Sequence, residues 1–323
     1  MRQYIGLDVG GTKVAAAAFV DGTLSEPSIQ PTDTRSAEAL LDELVGVVEA
    51  LRGPDAAAVG IGVPSVVEFA TGRIRYSVNI PLVDLPLRRI LAERIGLPVY
   101  VENDANCAAL AEATEGGEIV VKDLVMFTLG TGVGGGLVLN GRLYRGATGA
   151  APEMGHTIVG MDLARGAPVA GRFPQEGSLE RLAAGTELDR LALYAAEAQP
   201  GSALGRVLAD RGRVAGRDVV EAAEAGDAPA VEALRILGER LGIGIANAIN
   251  LFDPQEIVIG GGVSRAGDLI VKPAREAASR FVLPGVGTAC TIRLARRGVE
   301  AGVLGAALLA KMEHEQEGVP ALG

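Results

Sequence analysis

LPVYVENDAN, residues 97–106, joins an apolar run to an alanine-rich run that continues to Ala113. The apolar half is typical of a buried strand and the alanine-rich half of a helix. Four polar side chains, those of Glu102, Asn103, Asp104 and Asn106, therefore lie where a strand ends, which is where ligands of open α/β sheets bind. A helix N-cap explains one such residue but not four, so the segment predicts a functional site.

Composition limits the classes of protein to which the chain can belong. Its 323 residues are enough for two domains with separate cores. The formal charge of −10 argues against general nucleic-acid binding, and we find neither an apolar tract long enough to span a membrane nor a signal peptide. The cysteines, Cys107 and Cys290, suggest a reducing compartment rather than a disulfide scaffold. We therefore expect a cytoplasmic protein with no nucleic-acid or membrane partner.

Two similar hairpins occur at the starts of two halves of the chain. The run from Tyr4 to Val20 predicts a strand, a glycine turn and a second strand, closed by Asp21-Gly22. The run from Leu124 to Leu139 repeats this plan and is closed by Asn140-Gly141. Asp-Gly and Asn-Gly are strong signals of a two-residue hairpin turn. Because predicted helices alternate with strands elsewhere, we expect an α/β fold with an internal duplication.

Three glycine turns follow predicted strands, and such turns let backbone N–H groups approach phosphate oxygens. They are Gly10-Gly11-Thr12, the run from Gly130 to Gly136, and Gly260-Gly261-Gly262. The second matches the dinucleotide pattern G-x-G-x-x-G, but that pattern should open a helix and a strand follows here. The turns therefore predict phosphate binding without a dinucleotide fold, although any one of them alone is explained by tight turning.

Two carboxylates are candidates for phosphoryl-transfer chemistry. Asp8 lies at a strand end beside a glycine turn, where it can hold a water-coordinated Mg²⁺ or simply bond to its own turn. Asp104 is the better candidate for a general base that accepts a proton from an attacking hydroxyl. Neutral or anionic groups suited to bonding hydroxyls are Asn103, Glu153, His156 and Glu180.

These motifs, in this order, resemble the ROK family of sugar kinases, and most closely its bacterial glucokinases. The matching segments are Asp8 to Thr12, Gly60 to Pro64, Asn79 to Pro81, Val101 to Asn106, Leu129 to His156 and Ile259 to Ser264. The last part of the fifth segment, Glu153-Met154-Gly155-His156, ends the family signature. The resemblance covers nearly the whole chain.

The resemblance implies an actin-like (ribonuclease H-like) α/β fold of two lobes with a central cleft. We expect an N-terminal lobe over residues 1–118, with a C-terminal helix over 301–323 packing back on it, and a larger lobe over 119–300. Homodimers or homotetramers are usual for such kinases.

The resemblance also implies a site that takes ATP and Mg²⁺. It assigns Asp104 as the base on the 6-hydroxyl of a hexose and Asp8 as the Mg²⁺ residue, acting through water. The implied sugar ligands are Asn79, Asn103, Asp104, Glu153, His156 and Glu180. The implied ATP-binding residues are Gly10, Gly11, Thr12, Lys13, Gly130, Thr131, Gly132, Val133, Gly134, Gly261 and Gly262.

The sequence departs from the family pattern in two places. Ser65 follows Pro64 where glycine is usual, and the family's three-cysteine zinc motif after the histidine is missing. A glycine, an aromatic residue and Ser178 occupy the positions of those thiolates, so we predict no structural zinc. We expect the longer segment from Thr157 to Gly177 to compensate through a small apolar cluster. Its members would be Val159, Met161, Leu163, Val169 and Phe173.

Several functions fit these motifs. The first is ATP-dependent phosphorylation of glucose to glucose 6-phosphate, a step of carbohydrate metabolism and glycolysis. A kinase for N-acetylmannosamine, fructose or allose would use the same hydroxyl-binding groups, and polyphosphate is an alternative donor. A non-catalytic sugar-sensing regulator is disfavoured, because the first phosphate motif begins at Asp8 and leaves no room for an N-terminal DNA-binding segment.

Overall fold

The computed structural model describes residues 2–77 and 79–317. The chain forms two compact units. One comprises Met1–Leu124, Gly136–Pro152 and Arg296–Gly323, and the other comprises Val125–Gly135 and Glu153–Ala295. Residues 119–124, 136–152 and 296–300, which we placed in the second lobe, thus group with the first unit.

Strands and helices alternate along much of the chain, as the sequence predicts for an α/β protein. The strands are β1 (Gln3–Val9), β2 (Lys13–Val20), β3 (Thr23–Leu24), β4 (Ser28–Pro31), β5 (Ala56–Val63), β6 (Ser65–Glu68), β7 (Arg73–Ser77), β8 (Val99–Asn103), β9 (Thr114–Glu115), β10 (Glu118–Ile119), β11 (Leu124–Leu129), β12 (Val133–Leu139), β13 (Arg142–Leu143), β14 (Glu256–Gly260) and β15 (Thr291–Leu294). The α-helices are α1 (Ala37–Leu51), α2 (Leu87–Ile95), α3 (Asp104–Ala113), α4 (Leu179–Ala183), α5 (Gly185–Ala198), α6 (Ala203–Arg211), α7 (Gly216–Glu224), α8 (Ala228–Phe252), α9 (Asp268–Phe281) and α10 (Ala301–Glu317). Short 3₁₀ turns lie at Met154–His156, Gly262–Ala266 and Gly298–Glu300.

The two largest sheets share one strand order. The first runs β3-β2-β1-β5-β8, with β4 also paired to β2, and the second runs β13-β12-β11-β14-β15. In the first, β1 is antiparallel to β2 and parallel to β5, and β5 is parallel to β8. In the second, β12 is antiparallel to β13 and β14 is parallel to β15. Each sheet therefore contains a hairpin followed by parallel strands, which confirms the predicted α/β class and agrees with an internal duplication.

Both predicted hairpin turns have the backbone that their sequences favour. Asp21 and Gly22 have φ values of 48° and 79°, and Asn140 and Gly141 have φ values of 52° and 72°. Positive φ at both central positions is the mark of a type I′ turn, whose twist matches that of the strands it joins. The two hairpin turns predicted from these dipeptides are therefore confirmed.

The helix α10 packs on the first sheet, where two glycines allow a close approach. A Cβ atom at Gly6 of β1 would collide with the carbonyl oxygen of Val303, and one at Gly60 of β5 with that of Ala306. The helix also packs against α3 within the same unit. The helix α10 thus packs within the first unit up to Glu317, and residues 318–323 of the predicted C-terminal helix lie outside the described residues.

The sequence pattern over residues 179–199 predicts a single helix, which is wrong, because the structure divides this segment into α4 and α5 at Ala184. That residue is extended, with φ −75° and ψ 166°. The next backbone N–H, that of Gly185, donates to the carbonyl oxygen of Gly130 at 2.7 Å. A Cβ atom at Gly185 would lie 2.6 Å from the same oxygen, so a long-range contact sets the break.

The apolar cluster predicted between Thr157 and Gly177 does not form. The base of this loop is closed by the N–H groups of Val159 and Gly160, which donate to the carbonyl oxygen of Gly177 at 2.8 and 3.1 Å. Beyond the base, Leu163 and Val169 are 58% and 97% exposed. The loop is anchored by backbone hydrogen bonds at its ends and not by a core of its own.

Within the described residues, every helix is too short or too polar to span a lipid bilayer.

Candidate active site

The junction of β8 and α3 presents Asn103 and Asp104 from the first unit. Asn103 is the N-cap of α3, and its Oδ1 accepts hydrogen bonds from the N–H groups of Ala105 and Asn106 at 2.9 and 3.2 Å. Oδ1 of Asp104 also accepts from the N–H of Ala105, at 2.8 Å. Capping therefore occupies the side-chain oxygen of Asn103, whereas these hydrogen bonds use only one of the two carboxylate oxygens of Asp104.

The other two polar residues of this segment are structural. Glu102 is fully buried, and its Oε1 accepts from the N–H of Asn103 and from Nδ2 of Asn106 at 2.9 and 3.1 Å. Its Oε2 pairs with Nε of Arg145, whose Nη2 donates to Oε1 of Glu313 at 2.9 Å. This network ties the strand end to α10, so it fixes the backbone that carries Asn103 and Asp104.

Asp8 and Asp104 lie near each other at the ends of β1 and β8. Burial, first, and the negative charge of Asp8, second, raise the pKa of Asp104 to about 6, against hydrogen bonds that lower it. Burial also raises the pKa of Asp8, and the positive charge of Lys13 opposes this. A carboxylate with a pKa close to neutral is well matched to general-base work.

The first glycine turn lies against Asn79. The N–H of Gly10 donates to the carbonyl oxygen of Lys13 at 2.9 Å, which closes the turn between β1 and β2. A Cβ atom at Gly11 would lie 2.9 Å from both Cβ and O of Asn79. The structure thus brings together the predicted phosphate turn and one predicted sugar ligand, and Thr12 and Lys13 are exposed beside them.

The second glycine turn, in the second unit, is organised by Glu180. The N–H of Val133 donates to Oε2 of Glu180 at 2.8 Å. A Cβ atom at Gly132 would collide with the same oxygen. The glycine at that position is therefore required by the carboxylate above it, and one oxygen of Glu180 is already used by the backbone.

Glu153 and His156 flank a short 3₁₀ turn in the same unit. Nε2 of His156 is 3.8 Å from Oε2 of Glu153. Burial raises the pKa of Glu153, His156 opposes this, and the charge of Glu180 adds to it. These three predicted sugar ligands are therefore within electrostatic range of one another.

The third glycine turn borders a cavity of about 670 Å³ in the second unit, a volume typical of small-molecule sites. Three of the predicted ATP-binding residues line it: Gly130, Thr131 and Gly262. Gly261 does not line the cavity. It has a φ of 86°, which favours glycine, and a Cβ atom there would collide with the backbone of Leu129.

Most of the cavity lining was missed by our sequence reasoning. The additional residues come from α5, α7 and the turn after β14: Gly185, Thr186, Leu188, Asp189, Gly216, Arg217, Val220, Glu221, Glu224, Val263 and Arg265. A usable signal was the glycine that begins both α5 and α7, since a residue without a side chain lets a ligand approach the backbone closely.

The residues present do not fit a structural zinc. Nδ1 of His156 is buried and has no hydrogen-bond partner among residues 2–77 and 79–317, so one candidate ligand atom exists. The hydroxyl of Ser178, however, caps α4 by accepting from the N–H of Arg181 at 3.2 Å. Across the described chain, no three His, Cys, Asp or Glu side chains are grouped to hold a metal, whereas structural zinc takes four ligands. The absence of zinc stays a prediction.

A water-coordinated Mg²⁺ needs fewer protein ligands than a structural zinc does. It is commonly held by one or two carboxylates together with substrate phosphates, and Asp8 beside the first glycine turn fits that requirement.

The model of the ROK family matches residues 4–313. The glucokinase of Halalkalibacterium halodurans is 37% identical over 97% of this chain and 96% of its own length.

Solved structures agree with this match. The ROK hexokinase from Thermus thermophilus has a TM-score of 0.78 and 37% identity, covering 97% of this chain and 99% of that one. A ROK family glucokinase from Streptomyces griseus, in complex with glucose and AMPPNP, has a TM-score of 0.78 and 34% identity, covering 96% and 99%. Kinases of this group have the actin-like two-domain fold, which confirms the predicted fold class.

Proposed function

Because this chain belongs to the ROK family, we propose that it transfers the γ-phosphoryl group of ATP to the 6-hydroxyl of a hexose, with glucose as its preferred substrate. The observation that carries this proposal is the carboxylate of Asp104, whose pKa is raised to about 6. At neutral pH it is largely ionised and still basic enough to take a proton from a hydroxyl as that hydroxyl attacks phosphorus.

We assign the phosphate and metal roles to the first unit as follows. Asp8 holds Mg²⁺ through water, and Gly10, Gly11 and Thr12 offer backbone and hydroxyl donors to phosphate oxygens. Lys13 adds a positive charge beside them. Bound Mg²⁺ would offset the charge of the phosphates and of the two neighbouring carboxylates.

In the second unit we assign the nucleoside of ATP to the 670 Å³ cavity. The remaining residues of the second glycine turn, Gly132, Val133 and Gly134, follow the cavity-lining Gly130 and Thr131. A cavity of this size and lining supports a nucleotide over polyphosphate as the donor, because a linear phosphate chain has no base or ribose to fill it.

The sugar ligands that we propose are Asn79, Asn103 and Asp104 in the first unit and Glu153, His156 and Glu180 in the second. The separation of 3.8 Å between His156 Nε2 and Glu153 Oε2 is too long for a direct hydrogen bond. A sugar hydroxyl beside the pair can bridge the two groups, accepting from the imidazole and donating to the carboxylate. We also propose that the enzyme acts as a homodimer or homotetramer in the cytoplasm, at the start of glycolysis.

A coupled assay of ADP release tests the function. Glucose, fructose, allose and N-acetylmannosamine are compared as acceptors, and ATP and polyphosphate as donors, each with Mg²⁺. We expect the highest kcat/KM with glucose and ATP. No turnover with any of these sugars would refute the kinase, and a higher kcat/KM with another sugar would reassign its substrate.

A further inference from the structure

His156 lacks the hydrogen bond that usually orients an imidazole. A neutral histidine has one donor and one acceptor nitrogen, and a hydrogen bond at one of them normally sets the orientation of the ring. Here Nδ1 is buried and bonds to none of the residues that the structure describes. Nε2 faces Glu153 at 3.8 Å, beyond hydrogen-bond distance. Within the described part of the chain, no side-chain hydrogen bond fixes the orientation of this ring.

The ring of Phe173 is in contact with the imidazole of His156. The ring centroids are 5.5 Å apart and the planes are at 83°, an edge-to-face arrangement that aromatic pairs favour. Phe173 is 73% exposed, so it is not part of a core. It contrasts with Val169 of the same loop, which is 97% exposed.

The loop that carries Phe173 is fixed close to the contact. Gln175 lies two positions further on, and its side chain bonds twice to the backbone of Gly171, with Oε1 accepting from N–H and Nε2 donating to O, both at 2.8 Å. These bonds close a small ring of chain around Phe173, so the phenyl group is presented from a restrained segment.

We propose that Phe173 is a positioning residue that holds the imidazole of His156 with Nε2 directed toward Glu153. The inference rests on the proposed function, in which His156 binds a sugar hydroxyl. Without the phenyl ring, the imidazole can rotate about its Cβ–Cγ bond, which exchanges the positions of Nε2 and Cε1 and so turns the donor away from Glu153. An aromatic pair of this kind is worth roughly two- to tenfold in an equilibrium constant.

Nuclear magnetic resonance of the imidazoles tests the contact without any assay of activity. The chain has two histidines, His156 and His314, and the second is an internal reference because its ring neighbour is Tyr4 at 6.3 Å. The ring current of Phe173 should shift the His156 signals. We expect that shift to disappear in Phe173→Ala, to persist in Phe173→Tyr and Val169→Ala, and to leave His314 unchanged. His156 signals that are the same in Phe173→Ala and the wild type would overturn the proposal.

Steady-state kinetics test the consequence. We expect Phe173→Ala to raise the glucose KM about two- to tenfold, with the ATP KM unchanged, and Phe173→Tyr to restore it. Val169→Ala is the matched control from the same loop and should match the wild type. A normal glucose KM in Phe173→Ala would show that the ring does not position His156. A wild-type protein that phosphorylates no hexose would instead refute the proposed function, whatever the resonances show.

Discussion

The two glycine-turn hairpins, β1–β3 and β11–β13, have the same plan but different chemistry. In both hairpins, the next-to-last residue of the first strand is only partly buried, although its neighbours in the strand are buried. This residue is Asp8 in β1 and Thr128 in β11. Each following turn also places a glycine against a polar side chain, Gly11 against Asn79 and Gly132 against Glu180.

The residue at the end of the first strand distinguishes the two regions. Beside the first hairpin, burial raises the pKa values of both Asp8 and Asp104, and the negative charge of Asp8 raises that of Asp104 further. Beside the second, a hydroxyl replaces the carboxylate, and the turn opens onto a cavity that spans Gly130 and Gly262. The two regions nevertheless share the same order of strands and turns. The comparison teaches that one duplicated scaffold can carry catalytic charge in one copy and binding space in the other.

Removing the base should have the largest effect on the charged region. We expect Asp104→Asn to lower kcat by about 10²–10⁴-fold, the usual worth of a general base, while Asn103 still caps α3. The glucose Kd, measured by calorimetry, should change little. A kcat near the wild-type value would reduce Asp104 to a structural residue and abolish the contrast with the second hairpin.

The same variant should be more stable at neutral pH. The folded-state pKa of Asp104, about 6, lies above its ordinary value of 3.8, so ionisation is disfavoured in the folded protein. The stability associated with its protonated form is present below the ordinary value and is lost as pH rises through about 6. We therefore expect Asp104→Asn to raise the Tm above that pH and to leave it nearly unchanged below the ordinary value.

Filling the cavity should affect the region of the second hairpin alone. Val220 lines the cavity on α7, so Val220→Trp would occupy space meant for the nucleoside. We expect the ATP KM to rise about tenfold and the glucose KM to stay constant. Leu251→Trp, at a residue of α8 that is 73% exposed, is the control. An unchanged ATP KM in Val220→Trp would place the nucleoside elsewhere.

Neutralising Asp8 should shift the pH profile of the charged region. The acidic limb of kcat/KM in the wild type should have its midpoint near the Asp104 pKa of about 6. Asp8→Asn removes a negative charge that raises this pKa, so the midpoint should move to lower pH. The midpoint is taken from the shape of the profile and does not depend on the absolute rate. Asp42→Asn, on the exposed face of α1, should leave the midpoint in place, and an equal shift in both variants would refute the coupling.

The smallest expected effect is that of a chelator. We expect purified protein to contain no stoichiometric zinc and its Tm to stay constant on chelation in the absence of Mg²⁺, because Ser178 is engaged as a helix cap. Metal binding at structural sites is coupled to folding, so zinc and stability lost together would show that the second unit does hold a metal.

The sequence by itself determined the features that depend on neighbouring residues. The Asp-Gly and Asn-Gly turns, the strands on either side of them and the end of β8 at Asn103 were predicted because each follows from local backbone preference and hydrophobic spacing. The predicted site residues were also identified from the sequence alone, because each family motif is a short run of neighbouring residues. Our prediction missed β4, β6 and β15, which have four residues each, and also the helices α6 and α9.

Only the tertiary structure decided what depends on residues far apart in the chain. The raised pKa of Asp104 requires burial and the charge of Asp8, and the division of α4 from α5 requires the carbonyl oxygen of Gly130. The apolar residues between Thr157 and Gly177 were predicted to pack together, yet Leu163 and Val169 are exposed and Phe173 packs on His156 instead. Burial, electrostatic coupling and cavity space all arise from the packing of distant segments, and the pattern of any one segment does not contain them.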